Sequence, residues 1–258
     1  MRPYAFAMPP APWTSGLVEL AFDEPRPMPR PGCAMLKRVA AREDWAAARA
    51  LRFAAMVREG DVAPSALPTS ADPLDGAAGS ATFLLMEQGR VLGSTRCNHS
   101  GPASSAPLAA AQAFAAEIGE RAARAPVVEA SFTVVDRAAD RASALMRLFK
   151  AHTTACAAVD AEWLVAAVAE RQMGFYRRVF DMEILSGALP VRGFALPRVL
   201  MGLRFRERAA LLYRRLPFLA PSGEDLRRYA CGAELPLDRD EGGSIAARRR
   251  SAAGDARA

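Results

Sequence analysis

The chain is predicted to be an α/β protein, a mixed central sheet flanked by helices, and three features point there. Apolar runs with strand periodicity alternate with amphipathic runs of helical period along most of its 258 residues. VVEASFTVVDRAADRASALMRLFKAHTTACAAVDAEWLVAAVAE, residues 127–170, reads as a strand, a helix and a second strand. ATFLLMEQG and RVLGSTRCNH read as two strands joined tightly at Gly89, a hairpin.

In chain order, residues 1–33 hold eight prolines and little periodicity, so an extended arm is expected. MLKRVA (35–40) is a short strand. AREDWAAARALRFAAMVREG is an amphipathic helix, with Trp45, Ala48, Leu51 and Ala55 at helical spacing and Gly60 as its stop. Residues 61–79 form a polar loop punctuated by Pro and Gly. The hairpin follows, then a Ser/Pro/Ala connection and a helix near 107–124. Beyond residue 170, RQMGFYRRVFD is helical, MEILSGAL is a strand, Pro190 and Pro197 bracket a loop, and VLMGLRF is a last strand. RFRERAALLYRRLPFLAP is a basic helix ending at Pro217. The expected organisation is a Pro-rich arm (1–33), a main domain (34–205), a basic helical extension (206–237) and a disordered tail (238–258).

Composition narrows the class. A hydrophobic fraction of 51% and a charged fraction of 24% are those of a soluble globular protein. No apolar run approaches the roughly 20 residues of a membrane span, and Pro interrupts the opening MRPYAFAMPPAPW, which argues against a signal peptide. Cys33, Cys97, Cys156 and Cys231 are scattered without a CxxC, and there are only two histidines. Neither a metal site nor a disulfide framework is expected, and a reducing cytoplasm fits. The net charge is +6, carried almost wholly by arginine, as in GC-rich bacterial coding. From Arg204 onward 12 arginines face 8 acids, so +4 of that charge lies at the end of the chain. Such a distribution suits either contact with something acidic or a solvated tail. Nucleic acid is not expected as the partner, because no helix-turn-helix or aromatic RNA-binding signature is present.

The chain lacks GKS/T, GxGxxG, GxSxG and HExxH patterns, which removes support for the chemistries they serve. What remains is a set of polar residues on apolar elements. Arg52 lies on the first helix in ALRF, and Asp72 and Asp75 form a DxxD in the loop. Arg96 sits on the second hairpin strand in GSTR, and Glu129 is set inside VVEASF. Two arginines and three carboxylates could hold a zwitterion, guanidinium to carboxylate and carboxylate to ammonium. A glutamate in a low-dielectric strand could take a proton from an amine. A salt-bridge network tying helix to sheet explains the same residues equally well.

An arginine on the first helix, DxxD some 20 residues later, GxxR on a following strand and then a strand beginning with Glu resembles the acyl-homoserine-lactone (autoinducer) synthases. It equally resembles their relatives, the N-acyl amino acid synthases of the GNAT acyltransferase superfamily. The likeness spans roughly residues 35–205. Autoinducer synthases read E-x-S-R-F at the Glu129 strand, where this chain has Glu129, Ser131 and then Phe132 in place of the arginine. Val62 and Met56 replace a usual tryptophan and phenylalanine. These departures favour the N-acyl amino acid synthase branch over lactone synthesis from S-adenosylmethionine.

The resemblance implies a GNAT-like acyltransferase fold and transfer of a fatty acyl group from an acyl-thioester to an amino acid. Glu129 would be the base or amine anchor, Arg52 and Arg96 would hold the acceptor carboxylate, and Asp72 and Asp75 would order the loop over it. Ser131 and Phe132 would line the substrate site. FYRRVFDMEI resembles the acetyltransferase segment whose tyrosine protonates the leaving thiolate, which puts Tyr176 in that role; packing in the core is the competing reading. After the Glu129 strand the acetyltransferase glycine loop for coenzyme A is replaced by DRAADRAS, which points to acyl carrier protein as donor. Arg137, Arg141, Arg147 and Lys150 on the helix that begins there are candidates for docking that carrier. Leu145, Phe149, Leu164 and Val168 are candidates for the acyl pocket. No tightly bound cofactor is expected. The basic helix after Arg204 suits either packing on the sheet or peripheral contact with the inner membrane. A non-catalytic acyl-carrier or lipid-binding module on the same fold is the alternative of a different class.

Overall fold

The computed structural model describes residues 34–62, 72–102, 106–191 and 193–237. The expected arm at 1–33 and tail at 238–258 lie outside the described residues.

The chain runs β1 (Ala34–Arg38), α1 (Arg42–Arg58), β2 (Ser80–Glu87), β3 (Arg90–Ser100), α2 (Ala115–Arg124), β4 (Val127–Val135), α3 (Arg141–Ala158) and β5 (Trp163–Ala169). It continues with α4 (Met173–Phe180), β6 (Glu183–Leu189), β7 (Arg198–Arg204), α5 (Phe205–Arg215), α6 (Gly223–Cys231) and β8 (Leu235–Leu237). Eight strands form one sheet in the order β6-β7-β5-β4-β3-β2-β1-β8. β4 and β5 pair parallel across the α3 crossover, while the other neighbours pair antiparallel. The hairpin turns at Gln88 and Gly89, both at positive φ, which matches the twist of the two strands it joins.

Successive residues of β4 face opposite layers. Val128 and Ala130 join the main core with Leu148, Phe149, Ala151 and Ala155 of α3 and Phe180 of α4. Val127 packs instead with Phe114, Ile118 and Trp163 beneath α2. α1 covers the same face as α2, laying Ala48 on Leu84 of β2. Helices therefore sheath both sides of a mixed sheet, as the sequence predicted.

Four expectations are corrected. The helix near 107–124 is broken into a 3-10 turn at Ala109–Gln112 and α2, because Phe114 leaves helical geometry to bury its ring in the core. Residues 206–237 are not an appended extension. β8 pairs with β1 and closes that edge of the sheet, and Phe205, Leu212 and Leu219 belong to the main core. That packing also turns the apolar residues of 205–219 inward, with Leu212, Phe218 and Leu219 buried, so the membrane-surface reading loses its apolar face. Among the described residues no helix is long and apolar enough to cross a membrane.

Lastly, Lys150 is not a docking residue. It is buried, its Nζ donates to the carbonyls of Phe218 (3.0 Å) and Ala220 (2.7 Å), and it lies 3.1 Å from the Asp225 carboxylate. A buried ammonium needs such partners, and here they fasten the C-terminal segment to α3.

Candidate active site

β4 and β5 pair from Val127↔Trp163 to Ala130↔Ala166, and there the pairing stops. The cause lies on the other edge of β4. Between Arg96↔Ser131 and Ser94↔Val134, two β4 residues, Phe132 and Thr133, oppose the single Thr95, and Phe132 takes a φ of 47°. This bulge re-aims the strand and parts it from β5. The cleft so opened has a volume of about 70 Å³. Ser131, Phe132 and Thr133 form one wall, Ala167 and Val168 the other. Glu59 and Asp61 after α1, Tyr176 of α4, Phe194 and Arg198 also border it.

Behind Phe132 the sequence motifs meet. Arg52 Nη1 donates to Asp75 Oδ1 at 2.7 Å and Nη2 to Thr82 Oγ1 at 3.2 Å. Arg96 donates from Nη1 to Asp72 (2.7 Å) and Asp75 (3.2 Å), and from Nε to Ser131 Oγ (3.1 Å). Asn98 Nδ2 bridges Ser131 Oγ (3.1 Å) and Glu129 Oε2 (3.0 Å). The backbone N–H groups of Ala109 and Ala110 also donate to Glu129, at 2.6 and 2.8 Å. The Phe132 ring lies 4.9 Å from the Arg52 guanidinium carbon and 4.8 Å from that of Arg96.

This geometry gathers Arg52, Asp72, Asp75, Arg96, Glu129, Ser131 and Phe132 into one network, but gives several of them a different place from the one expected. Arg52 and Arg96 are buried, charge-balanced by Asp72 and Asp75, and covered by Phe132, so they do not border the cleft as carboxylate holders would. Glu129 is 1% exposed and does not border the cleft either. Burial raises its pKa, and the hydrogen bonds from Ala110, Asn98 and Ala109 pull it back only in part. Its carboxylate caps the first turn of the 3-10 segment, so the residue expected to be the base or amine anchor is here a buried anchor of that turn. Of the expected site residues, Ser131, Phe132 and Tyr176 border the cleft. Ser131 Oγ accepts from Arg96 and Asn98 together, which fills its two lone pairs and leaves its own O–H to donate.

Tyr176 packs its ring in an aromatic group with Phe149, Phe175 and Phe180. Burial pushes its hydroxyl up to about 12, which keeps it protonated at neutral pH. Of the acyl-pocket candidates, Val168 borders the cleft, whereas Phe149 and Leu164 are buried in the main core and Leu145 packs against it. The Phe149 ring is stacked on Phe180 at 3.4 Å between centroids. Arg147 is tied to Glu87 at 3.1 Å and largely shielded, which removes it from the docking set, while Arg137 and Arg141 are exposed. In the loop between β4 and α3, Asp136 accepts from Ala138 N–H and Asp140 from Ala142 N–H.

Sequence reading missed the far rim. Glu59 accepts from Arg141, Arg171 and Gln172, joining the end of α1 to α3 and to the 3-10 turn that precedes α4. Asp61 Oδ2 pairs with Arg198 Nη2 at 2.6 Å, and Arg198 lies over the Phe194 ring at 4.2 Å. The available signal was an arginine at the start of the apolar run RVLMGL, a charge placed where a strand enters the core.

Comparison with known proteins follows the fold. A family profile described as N-acyl amino acid synthase FeeM matches residues 47–204. Among solved structures, FeeM, an N-acyl amino acid synthase from uncultured soil microbes, is similar at 15% identity and a TM-score of 0.59, over 72% of this chain and 99% of that one. BjaI, a CoA-dependent acyl-homoserine lactone synthase with SAM and isopentyl-CoA, is similar at 15% identity and a TM-score of 0.50, over 77% and 99%. The AHL synthase LasI gives 15% and 0.50, over 69% and 93%. No curated protein matches the chain. At such identities the structural likeness establishes the fold, which is GNAT-like.

Proposed function

The chain belongs to the N-acyl amino acid synthase family typified by FeeM and is an acyltransferase, and from that premise we propose that it moves a fatty acyl group from acyl carrier protein to the amino group of an amino acid. The observation that carries this reading is the parting of β4 from β5 beyond Ala130, which leaves an open strand edge facing a cleft with Tyr176 on its wall. An acyl-thioester carbonyl laid along that edge would meet N–H donors already held in place, the arrangement that stabilises an oxyanion. The acceptor amine attacks the carbonyl carbon, the C–N bond forms and the C–S bond breaks. Tyr176, whose hydroxyl stays protonated at neutral pH, then protonates the departing thiolate.

Two features support a carrier protein over free coenzyme A. Asp136 and Asp140 take up N–H groups in the turn where a diphosphate would bind, and place negative charge there. Exposed Arg137 and Arg141 flank the same turn, with Arg171 brought alongside through Glu59, a basic rim for an acidic carrier.

The test is a mass-spectrometric product screen. Purified protein is mixed with long-chain acyl carrier protein or acyl-CoA and each of the twenty amino acids, with S-adenosylmethionine in a parallel arm. An N-acyl amino acid from the carrier-bound donor is expected. Product from acyl-CoA alone would reassign the donor, a lactone from S-adenosylmethionine would reassign the reaction, and no product in any arm would sink the proposal.

A further inference from the structure

Asp61 follows α1 at the cleft rim, and its main-chain carbonyl accepts from Ala195 N–H at 3.0 Å, tying it to the loop that carries Phe194. One carboxylate oxygen, Oδ2, is committed to Arg198 at 2.6 Å. The other, Oδ1, is buried and has no hydrogen-bond partner among the described residues. The two side chains are 6% and 5% exposed, and both border the cleft beside Ser131 and Phe132. A buried charged oxygen without a partner is costly, so its persistence at the wall of a cleft calls for a ligand that supplies the missing donor. An ammonium group has the matching charge and hydrogens. Arg198 spends one N–H on Asp61 and has further donors in the same plane, the geometry that receives a carboxylate.

We infer that Asp61 and Arg198 form the acceptor subsite for an α-amino acid, with Asp61 Oδ1 receiving the ammonium group and Arg198 its carboxylate. The inference rests on the acyltransfer reading above and replaces Arg52 and Arg96, which lie behind Phe132, as the groups that hold the acceptor. Asp61 takes one proton from the ammonium and leaves a neutral amine. The amine lone pair forms the C–N bond as the C–S bond breaks. The second nitrogen proton leaves as the amide forms, and the thiolate is protonated from Tyr176. The sum is one thioester and one ammonium converted to an amide, a thiol and a proton.

The test compares two nucleophiles on wild type and Asp61→Asn: an amino acid that wild type acylates and its aminooxy analogue, whose nitrogen is neutral at neutral pH. Asp61→Asn is expected to lower kcat/KM for the amino acid on the order of 100-fold or more, and to lower it markedly less for the aminooxy acid. Equal losses on both nucleophiles, or no loss on either, overturn the inference. Because Asp61→Asn leaves Arg198 without its counter-charge, the double variant Asp61→Asn/Arg198→Gln is assayed beside it with the amino acid and its decarboxylated amine. It is expected to lose the wild-type preference for the amino acid, and a retained preference overturns the inference. A wild type that acylates no amino acid fails the reaction itself, whereas active wild type with equally active Asp61→Asn fails the subsite alone.

Discussion

Two arginine–carboxylate groups lie on either side of the Phe132–Phe194 contact, whose ring centroids are 6.0 Å apart, and they differ in whether their charges border the cleft. On one side Arg52 and Arg96 face Asp72 and Asp75, and Thr82 and Ser131 accept further N–H bonds from the same guanidiniums. On the other, Asp61 and Arg198 face each other singly, with one carboxylate oxygen left over at the cleft. The first group joins α1, the loop before β2, and strands β2 to β4, so its energy goes into the fold. Among the described residues, buried atoms without a hydrogen-bond partner occur in both groups, Arg52 Nε, Arg96 Nη2 and Asp75 Oδ2 in the first and Asp61 Oδ1 in the second, but only the second group borders the cleft, so it is available to a ligand. A charged cluster near a cleft is thus not thereby the binding site; its leftover hydrogen-bonding capacity must lie on the cleft wall.

The largest expected effect tests the closed group. Arg96→Met removes the cation shared by Asp72 and Asp75 and is expected to cost about 3–5 kcal/mol, as breaking a buried pair does, read as a lower urea midpoint. If stability is unchanged and only acceptor KM rises, the closed group is the binding site after all and the comparison is reversed.

On the cleft side, Tyr176→Phe is expected to lower kcat roughly 100-fold, the lower end of the range for general acid catalysis, with little change in urea midpoint. An unaltered kcat would leave the tyrosine a packing residue.

Glu129→Gln separates anchor from base. The amide would present N–H toward backbone N–H groups that now reach a carboxylate, an expected loss of about 1–3 kcal/mol for an unsatisfied buried donor. Because burial raises the Glu129 pKa, its contribution is fully present below the unfolded carboxyl value and is lost as pH rises through the folded one. The variant's stability curve should therefore be flatter than wild type across that window. A fully stable Glu129→Gln protein with no acyltransfer would restore the base reading.

The smallest effect concerns the wall between the groups. Phe132 sits at a φ of 47°, where a side chain costs about 1–2 kcal/mol relative to glycine. Phe132→Gly should therefore melt above Phe132→Ala, although it removes more atoms. The reverse order would mean that the bulge does not hold that backbone conformation.

The sequence by itself determined the elements and the membership of the polar network. Helical spacing marks α1, which buries one face, and apolar runs mark β2, β3, β4 and α3, whose consecutive residues are buried on both faces. The short motifs around Arg52, Asp72, Asp75, Arg96 and Glu129 survive as signals because charges are rarely placed on apolar elements without partners. Tertiary structure alone decided which of those charges face solvent, cleft or core. Lys150 reads as one more basic residue on a helix, and only carbonyls 68 and 70 residues further along make it a buried staple. β8 is a three-residue strand that no local pattern announces, and pairing with β1 creates it. The bulge at Phe132 depends on the register between β3 and β4, which long-range pairing sets, and from that register come the parting of β5, the cleft and the place of Asp61 on its wall.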